Sequence, residues 1–128
     1  MKRLLIVLFA LGCVDLPGQV TNDTCGGAIN ITEGIPVLGS NVGATVGPDP
    51  VACNAGSDVW YAVVLNCNTQ YLASTCDAAT TFDTVLSVWS APSGCGGLAL
   101  VGCNDNNCGS GGPVTASRVI FTATAGGL

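Results

Sequence analysis

Short apolar runs alternate with polar, turn-forming stretches along this chain, and the clearest runs lie between residues 59 and 90. Residues 59–65, 70–76 and 82–90 are rich in β-branched and aromatic side chains. Asparagine, aspartate and threonine residues typical of turns separate them. Large rings bury the most area per residue, and most of the aromatic residues lie here. We therefore predict that these runs form the middle of an antiparallel β-sandwich.

Weaker strand signals flank this central region. The other predicted strands are residues 29–31, 35–38, 98–102 and 117–124. Between them, residues 39–50 and 91–97 have the glycine and proline content of loops and turns, and residues 103–108 form a tight polar loop. No segment after residue 22 predicts a helix of useful length. The expected fold class is all-β, a jelly-roll-like antiparallel sandwich.

The first 13 residues have the layout of a secretory signal peptide. Lys2 and Arg3 precede an apolar run, residues 4–12, that is too short to cross a bilayer as a permanent helix. Cys13 follows Ala-Leu-Gly, which is similar to the end of a bacterial lipoprotein signal. Two outcomes stay open: lipidation of Cys13, which would tether the protein to a membrane, or ordinary cleavage nearby. Residues 14–21 are expected to be a tether and residues 22–128 the domain, secreted or displayed at the cell surface.

Composition narrows the possible functions. The chain has 128 residues, which suits one domain, and only 9% of them are charged. Without the signal peptide, one base, Arg118, stands against eight acids, a net charge of one minus eight, or −7. Nucleic acid and anionic lipid both require clustered bases, so neither is an expected partner. The sequence has no histidine to act as a base, and we predict that the protein is not an enzyme.

Eight cysteines in a small secreted domain predict a disulfide framework. Zinc is the rival interpretation, but it favours paired close spacings and usually histidine. The order of the predicted strands suggests three bonds, and these are Cys25 with Cys53, Cys76 with Cys95, and Cys103 with Cys108. Cys67 is then left over, with Cys13 as its possible partner. Strong destabilisation by reducing agents is the expected consequence.

Two further sites are suggested by short patterns. Asp83, Asn104 and Asp105 could supply oxygen ligands for calcium, or they could simply cap and fold turns through side-chain hydrogen bonds. Asn22 and Asn30 each begin an Asn-x-Thr pattern for N-glycosylation, which is short and frequent by chance. Trp60 and its aromatic neighbours could line a sugar-binding face, although rings at strand spacing are more often core residues.

Several motifs in a fixed order make the chain similar to a known family. They are residues 22–25 (NDTC), 59–61 (VWY), 74–76 (STC), 82–88 (FDTVLSV), 103–105 (CND) and 117–126 (SRVIFTATAG). Together they resemble the bacterial pre-peptidase C-terminal domain, in its cysteine-rich secreted version. The resemblance implies a β-sandwich that serves as an accessory module of a secreted or surface protein. It implies no catalytic residues of its own, and calcium binding in some members.

The resemblance breaks off near the end of the sequence. Family members normally continue after the Thr-Ala-Gly segment, at residues 124–126 here, with one or two more strands. Either this sequence is a fragment of a longer polypeptide with other domains, or another copy supplies the missing strand by donor-strand complementation. In the second case residues 14–21 are the expected donor, and the protein is a subunit of an extracellular filament.

Overall fold

A computed structural model describes residues 20–53, 55–109 and 112–124. Its strands are β1 (Ile29–Asn30), β2 (Tyr61–Ala62), β3 (Gln70–Ser74), β4 (Val85–Ser90), β5 (Pro92–Cys95), β6 (Ala99–Asp105) and β7 (Arg118–Thr122). A 3₁₀ turn lies at Cys25–Gly27. The predicted all-β class is therefore confirmed. None of the described segments is a helix with the length and hydrophobicity needed to span a bilayer.

Six of the seven described strands pair in three two-stranded sheets. β3 and β7 are antiparallel, as are β4 and β6, whereas β1 and β2 form a short parallel pair. The antiparallel pairing is thus confirmed for the two larger sheets. The three central runs of the sequence do not pair with one another, because β3 and β4 each pair with a strand from the carboxyl-terminal part of the chain. The jelly-roll order of strands stays a prediction.

The β3–β7 sheet has one covered face and one exposed face. Tyr71 lies directly opposite Phe121, and their ring centroids are 6.1 Å apart. On the same face, Val119 is buried and packs over Gly102 of β6, where an added Cβ would lie only 3.1 Å from the Val119 methyl group. Glycine at this position therefore lets the two sheets approach closely.

The buried core is small and partly polar. Among the described residues, the buried apolar side chains are those of Ala52, Cys108, Ala116 and Val119. The expected cluster of rings is present but only half-buried, with Trp60 and Trp89 centred 6.5 Å apart. Phe82, expected in the core, is exposed. Since little apolar area is sealed from water, covalent bonds and hydrogen bonds must contribute much of the stability.

Three disulfides join the sheets and loops. The bonds are Cys25–Cys95, Cys53–Cys103 and Cys76–Cys108. The same six cysteines were expected to be bonded, but all three predicted pairs are wrong. The prediction joined neighbours along the chain, whereas the fold brings together residues separated by 70, 50 and 32 positions. The bonds interleave: first with fourth, second with fifth, third with sixth.

Several strand boundaries differ from those predicted. Residues 35–38 form no strand and are exposed, because no described segment pairs with their backbone. The 59–65 run shortens to β2, and the predicted turn at 91–97 contains β5. β6 extends to Asp105, so part of the predicted 103–108 loop is strand. The predicted signal peptide, Cys13, residues 14–19 of the tether and residues 125–128 lie outside the described residues.

Candidate functional site

An apolar groove lies between the two larger sheets. It has a volume of about 120 Å³. Its walls come from β4, β6, the end of β7 and the segment after β2; they are Leu65, Val88, Trp89, Ser90, Val101, Phe121, Thr122, Ala123 and Thr124. We call this surface the groove. It combines two half-buried rings with aliphatic side chains and a stretch of backbone, which is the composition of a surface that binds apolar or extended ligands.

An irregularity in the β4–β6 pairing shapes one wall of the groove. Val88 lies opposite Gly102, but Trp89 lies opposite Leu100, so Val101 has no partner across the ladder. Such a bulge increases the local twist and redirects the neighbouring side chains. The Trp89 indole N–H donates a hydrogen bond to Ser87 Oγ at 2.9 Å, which fixes the ring at the groove.

The opposite wall is the end of β7 and the residues after it. One edge of this segment is used, because Ala123 N donates to Thr69 O at 3.0 Å and Asn68 N donates to Ala123 O at 2.7 Å. Among the described residues, β7 has no ladder partner at its other edge. Phe121 to Thr124 are consecutive groove residues, so unpaired backbone and apolar side chains occur together at this wall.

A buried network of hydroxyl groups lies where β3 ends and β4 and β7 begin. Ser117 has no solvent exposure; its Oγ donates to Thr84 O and accepts from Asn106 N. Thr75 Oγ1 lies 2.7 Å from Thr84 Oγ1 and accepts from Ser117 N at 2.9 Å. These groups satisfy one another and are closed to substrate, so the network is structural. The network was not predicted from the sequence, although both of its threonines stand in the STC and FDTV motifs.

The residues proposed for calcium lie near one end of the β4–β6 sheet. Asp105 is opposite Val85 at the last pair of the ladder, and Asp83 precedes β4 by two positions. Asn104 Oδ1 already accepts a hydrogen bond from Arg118 N at 3.2 Å. Within the described residues, no group of three or more carboxylate, histidine or cysteine side chains is arranged to hold a metal ion. Calcium binding stays a prediction.

A different set of acids, Asp23, Asp49 and Asp58, lies in the amino-terminal part of the domain. These residues were not predicted as a site from the sequence. The Asp23 carboxylate accepts from Thr45 N and Thr45 Oγ1, both at 2.6 Å, and these bonds lower the pKa of Asp23. Asp49 Oδ2 accepts from Cys25 N at 2.7 Å. The pKa of Asp58 is raised, chiefly by burial and also by the charges of the other two carboxylates. Asp23 and Asp49 thus act as loop-fixing acceptors.

The two glycosylation patterns lie in very different surroundings. Asn22 is only 4% exposed, and its Nδ2 donates to Trp60 O at 2.9 Å. A glycan on Asn22 is incompatible with this packing. Asn30 lies in β1 and is exposed. The pattern at residues 30–32 is therefore the one that the folded domain can carry.

One exposed cysteine lies near the groove. Cys67 forms no disulfide with any described residue, and its predicted partner Cys13 lies outside the described residues. The turn that carries Cys67 follows Leu65 and includes Asn68, which adopts a positive φ of 58°. Asparagine tolerates this conformation better than most residues, which accounts for the tight turn.

Comparison with known proteins yields no match to a family model, to a curated protein or to a solved structure. The resemblance to the pre-peptidase C-terminal family therefore stays a prediction. The three disulfides are typical of proteins that fold in an oxidising, extracellular environment.

Proposed function

We propose that this protein is a non-catalytic, secreted β-domain that binds an extended polypeptide segment in its groove. The observation that carries the proposal is the coincidence of apolar side chains and an unpaired strand edge. Trp89 and Phe121 supply rings at the groove, and the edge of β7 that faces away from β3 has no ladder partner among the described residues. A bound strand would form main-chain hydrogen bonds and place alternate side chains in the groove.

The bound segment belongs to the polypeptide of which the domain is an accessory module, as the family resemblance implies. Completion of the sheets by such a segment would give the jelly-roll-like sandwich expected from the sequence. Secretion agrees with the disulfides, and the absence of histidine from the sequence favours binding over catalysis.

A peptide-binding experiment tests the proposal. The probes are a synthetic peptide of residues 14–21 and a peptide of alternating valine and threonine residues. Because Trp89 is half-buried at the groove, we expect a saturable blue shift of tryptophan fluorescence with at least one probe. Val101→Asp should abolish the shift by placing a charge in the groove. Val114→Asp is the matched control, since Val114 is exposed and does not line the groove.

The result that contradicts this proposal is equally specific. The proposal is contradicted if neither peptide shifts the fluorescence, or if the shift persists in the Val101→Asp variant. Turnover of a polysaccharide or peptide substrate by the purified chain would contradict the non-catalytic part of the proposal.

A second candidate is a structural subunit of an extracellular filament assembled by donor-strand exchange. The observation that favours it is that the described sheets have two strands each, so every strand has an edge without a ladder partner in the described part of the chain. Electron microscopy of the purified protein separates this candidate from the first. Filaments would support it, and dispersed particles at high concentration would contradict it.

A further inference from the structure

The exposed side of the β3–β7 sheet carries an apolar pair next to a positive charge. Leu72 and Ile120 lie directly opposite each other, and they are 58% and 60% exposed. Arg118 is two residues before Ile120, so its side chain is on the same side of the sheet. Arg118 is the one base among the described residues. We call these three residues the outer face.

A second exposed apolar surface lies in the amino-terminal part of the domain. Ile35 and Leu38 are 61% and 90% exposed, and Val37 between them is also exposed. Glu33 lies at the tip of the turn just before them, which Ile35 N closes by donating to Thr32 O at 3.2 Å. We call residues 33–38 the apolar arm. Solvent-exposed aliphatic side chains at this density mark an interaction surface.

The apolar arm and the outer face do not cover each other within one molecule, because both are exposed. Before the arm, Ile31 N donates to Ala62 O of β2 at 2.8 Å. After it, the backbone of Gly39 lies against the Tyr61 hydroxyl group, also in β2. Both ends of the arm are thus fixed on β2, which belongs to a different sheet from β3 and β7. We therefore expect a contact between the two surfaces to join two molecules.

We propose that the apolar arm of one copy of this chain docks on the outer face of another copy. The contact places Ile35 and Leu38 against the Leu72–Ile120 pair. It also brings acidic Glu33 to Arg118, which is the one base in the described part of the chain and so the one positive partner that Glu33 has there. The charges are complementary, so they select the orientation more than they add affinity.

This contact has a geometric consequence. The two surfaces are different patches of one molecule, so each copy uses its arm on one neighbour and its outer face on another. Such a head-to-tail contact propagates into an open chain unless the rotation between copies closes it into a ring. The inference goes beyond the proposed groove function and does not need strand exchange.

Self-association of the purified protein tests the proposal. Analytical ultracentrifugation over a concentration series should show reversible assembly of the wild type. Ile120→Asp and Leu38→Asp should each weaken it by about tenfold or more, because each places a charge in an apolar contact. Val114→Asp is the matched control: Val114 is 83% exposed and belongs to neither surface. Intact disulfides and an unchanged circular dichroism spectrum establish that the variants fold.

Charge reversal provides a second, independent test. Arg118→Glu and Glu33→Arg should each weaken assembly by about two- to fivefold, and the double variant should restore it. A wild type that remains monomeric at every concentration would overturn the proposal. So would assembly that is unchanged in Ile120→Asp, or single reversals that the double variant fails to rescue. None of these four residues lines the groove, so peptide binding there should be unchanged and the two proposals can fail separately.

Discussion

Removing the Cys53–Cys103 bond distinguishes the interleaved disulfides from a pairing of neighbours. Replacing both cysteines by alanine breaks one bond of the structure and leaves the other two intact. Under the neighbour pairing expected from the sequence, the same variant would lose two bonds. It would then expose two additional thiols, those of Cys25 and Cys108.

The cost of this change follows from the length of chain that the bond closes. An isolated bond across a separation of 50 residues stabilises the folded state by about 4 kcal/mol in the chain-entropy relation. The two remaining bonds shorten the route between positions 53 and 103. The chain runs 23 residues to Cys76, crosses to Cys108 and runs 5 more, about 28 in all. The expected loss is then about 3.5 kcal/mol, a large share of a typical stability of about 5–15 kcal/mol.

Urea unfolding and thiol titration measure the two parts of this prediction. The free energy of unfolding from tryptophan fluorescence should fall by about 3–4 kcal/mol relative to the wild type. The number of thiols titrated in the unfolded protein should be the same for both. A gain of two thiols, or a loss of stability below about 1 kcal/mol, would refute the reasoning.

Three further predictions concern buried and charged groups. Ser117→Ala should lower the free energy of unfolding by about 1–3 kcal/mol, because it leaves the Thr84 carbonyl without its hydroxyl donor; exposed Ser93→Ala is the control, and equal effects would contradict the role of the network. Asp23 has a lowered pKa when folded, so its contribution to stability is present above the ordinary aspartate pKa and is lost as the pH falls through the lower folded value. Asp23→Asn should therefore lower stability at neutral pH and flatten its decline in acid, as followed by thermal melting at several pH values. Asp58 has a raised pKa in the folded protein, so its charge opposes folding at neutral pH. Asp58→Asn should therefore stabilise the protein at pH 7 and have no effect well below the ordinary aspartate pKa. Destabilisation at pH 7 would contradict this prediction.

The strands with strong local patterns were the predictable part of the fold. β3, β4 and β7 lie inside the runs at 70–76, 82–90 and 117–124, because β-branched and aromatic residues favour a pleated, half-buried backbone wherever a partner is available. Residues 35–38 show the limit of this argument. Their composition favours a strand, but a strand also needs a neighbour, and strand propensity contains no information about that neighbour.

Neither the disulfide connectivity nor the groove could be predicted from the sequence, and the two reasons are related. Sequence order suggests bonds between neighbours, whereas the fold brings together cysteines that are far apart in the chain. The groove depends on the bulge at Val88 and Trp89, which shifts the register by one residue and leaves Val101 unpaired. Gly102 stands beside the bulge, but a glycine inside a strand pattern does not by itself specify the register. The buried hydroxyl of Ser117 depends likewise on contacts across the fold.

The interleaving of the three bonds has a consequence for survival among proteases. A peptide bond cut anywhere from Cys25 to Cys108 lies inside at least one covalent ring, so the two pieces stay attached. Between Cys76 and Cys95, all three bridges span the cut. A nicked molecule would thus migrate as a single species on a gel without reductant and separate into fragments only after reduction. Cleavage of a surface loop between Cys25 and Cys108 would leave the domain in one piece.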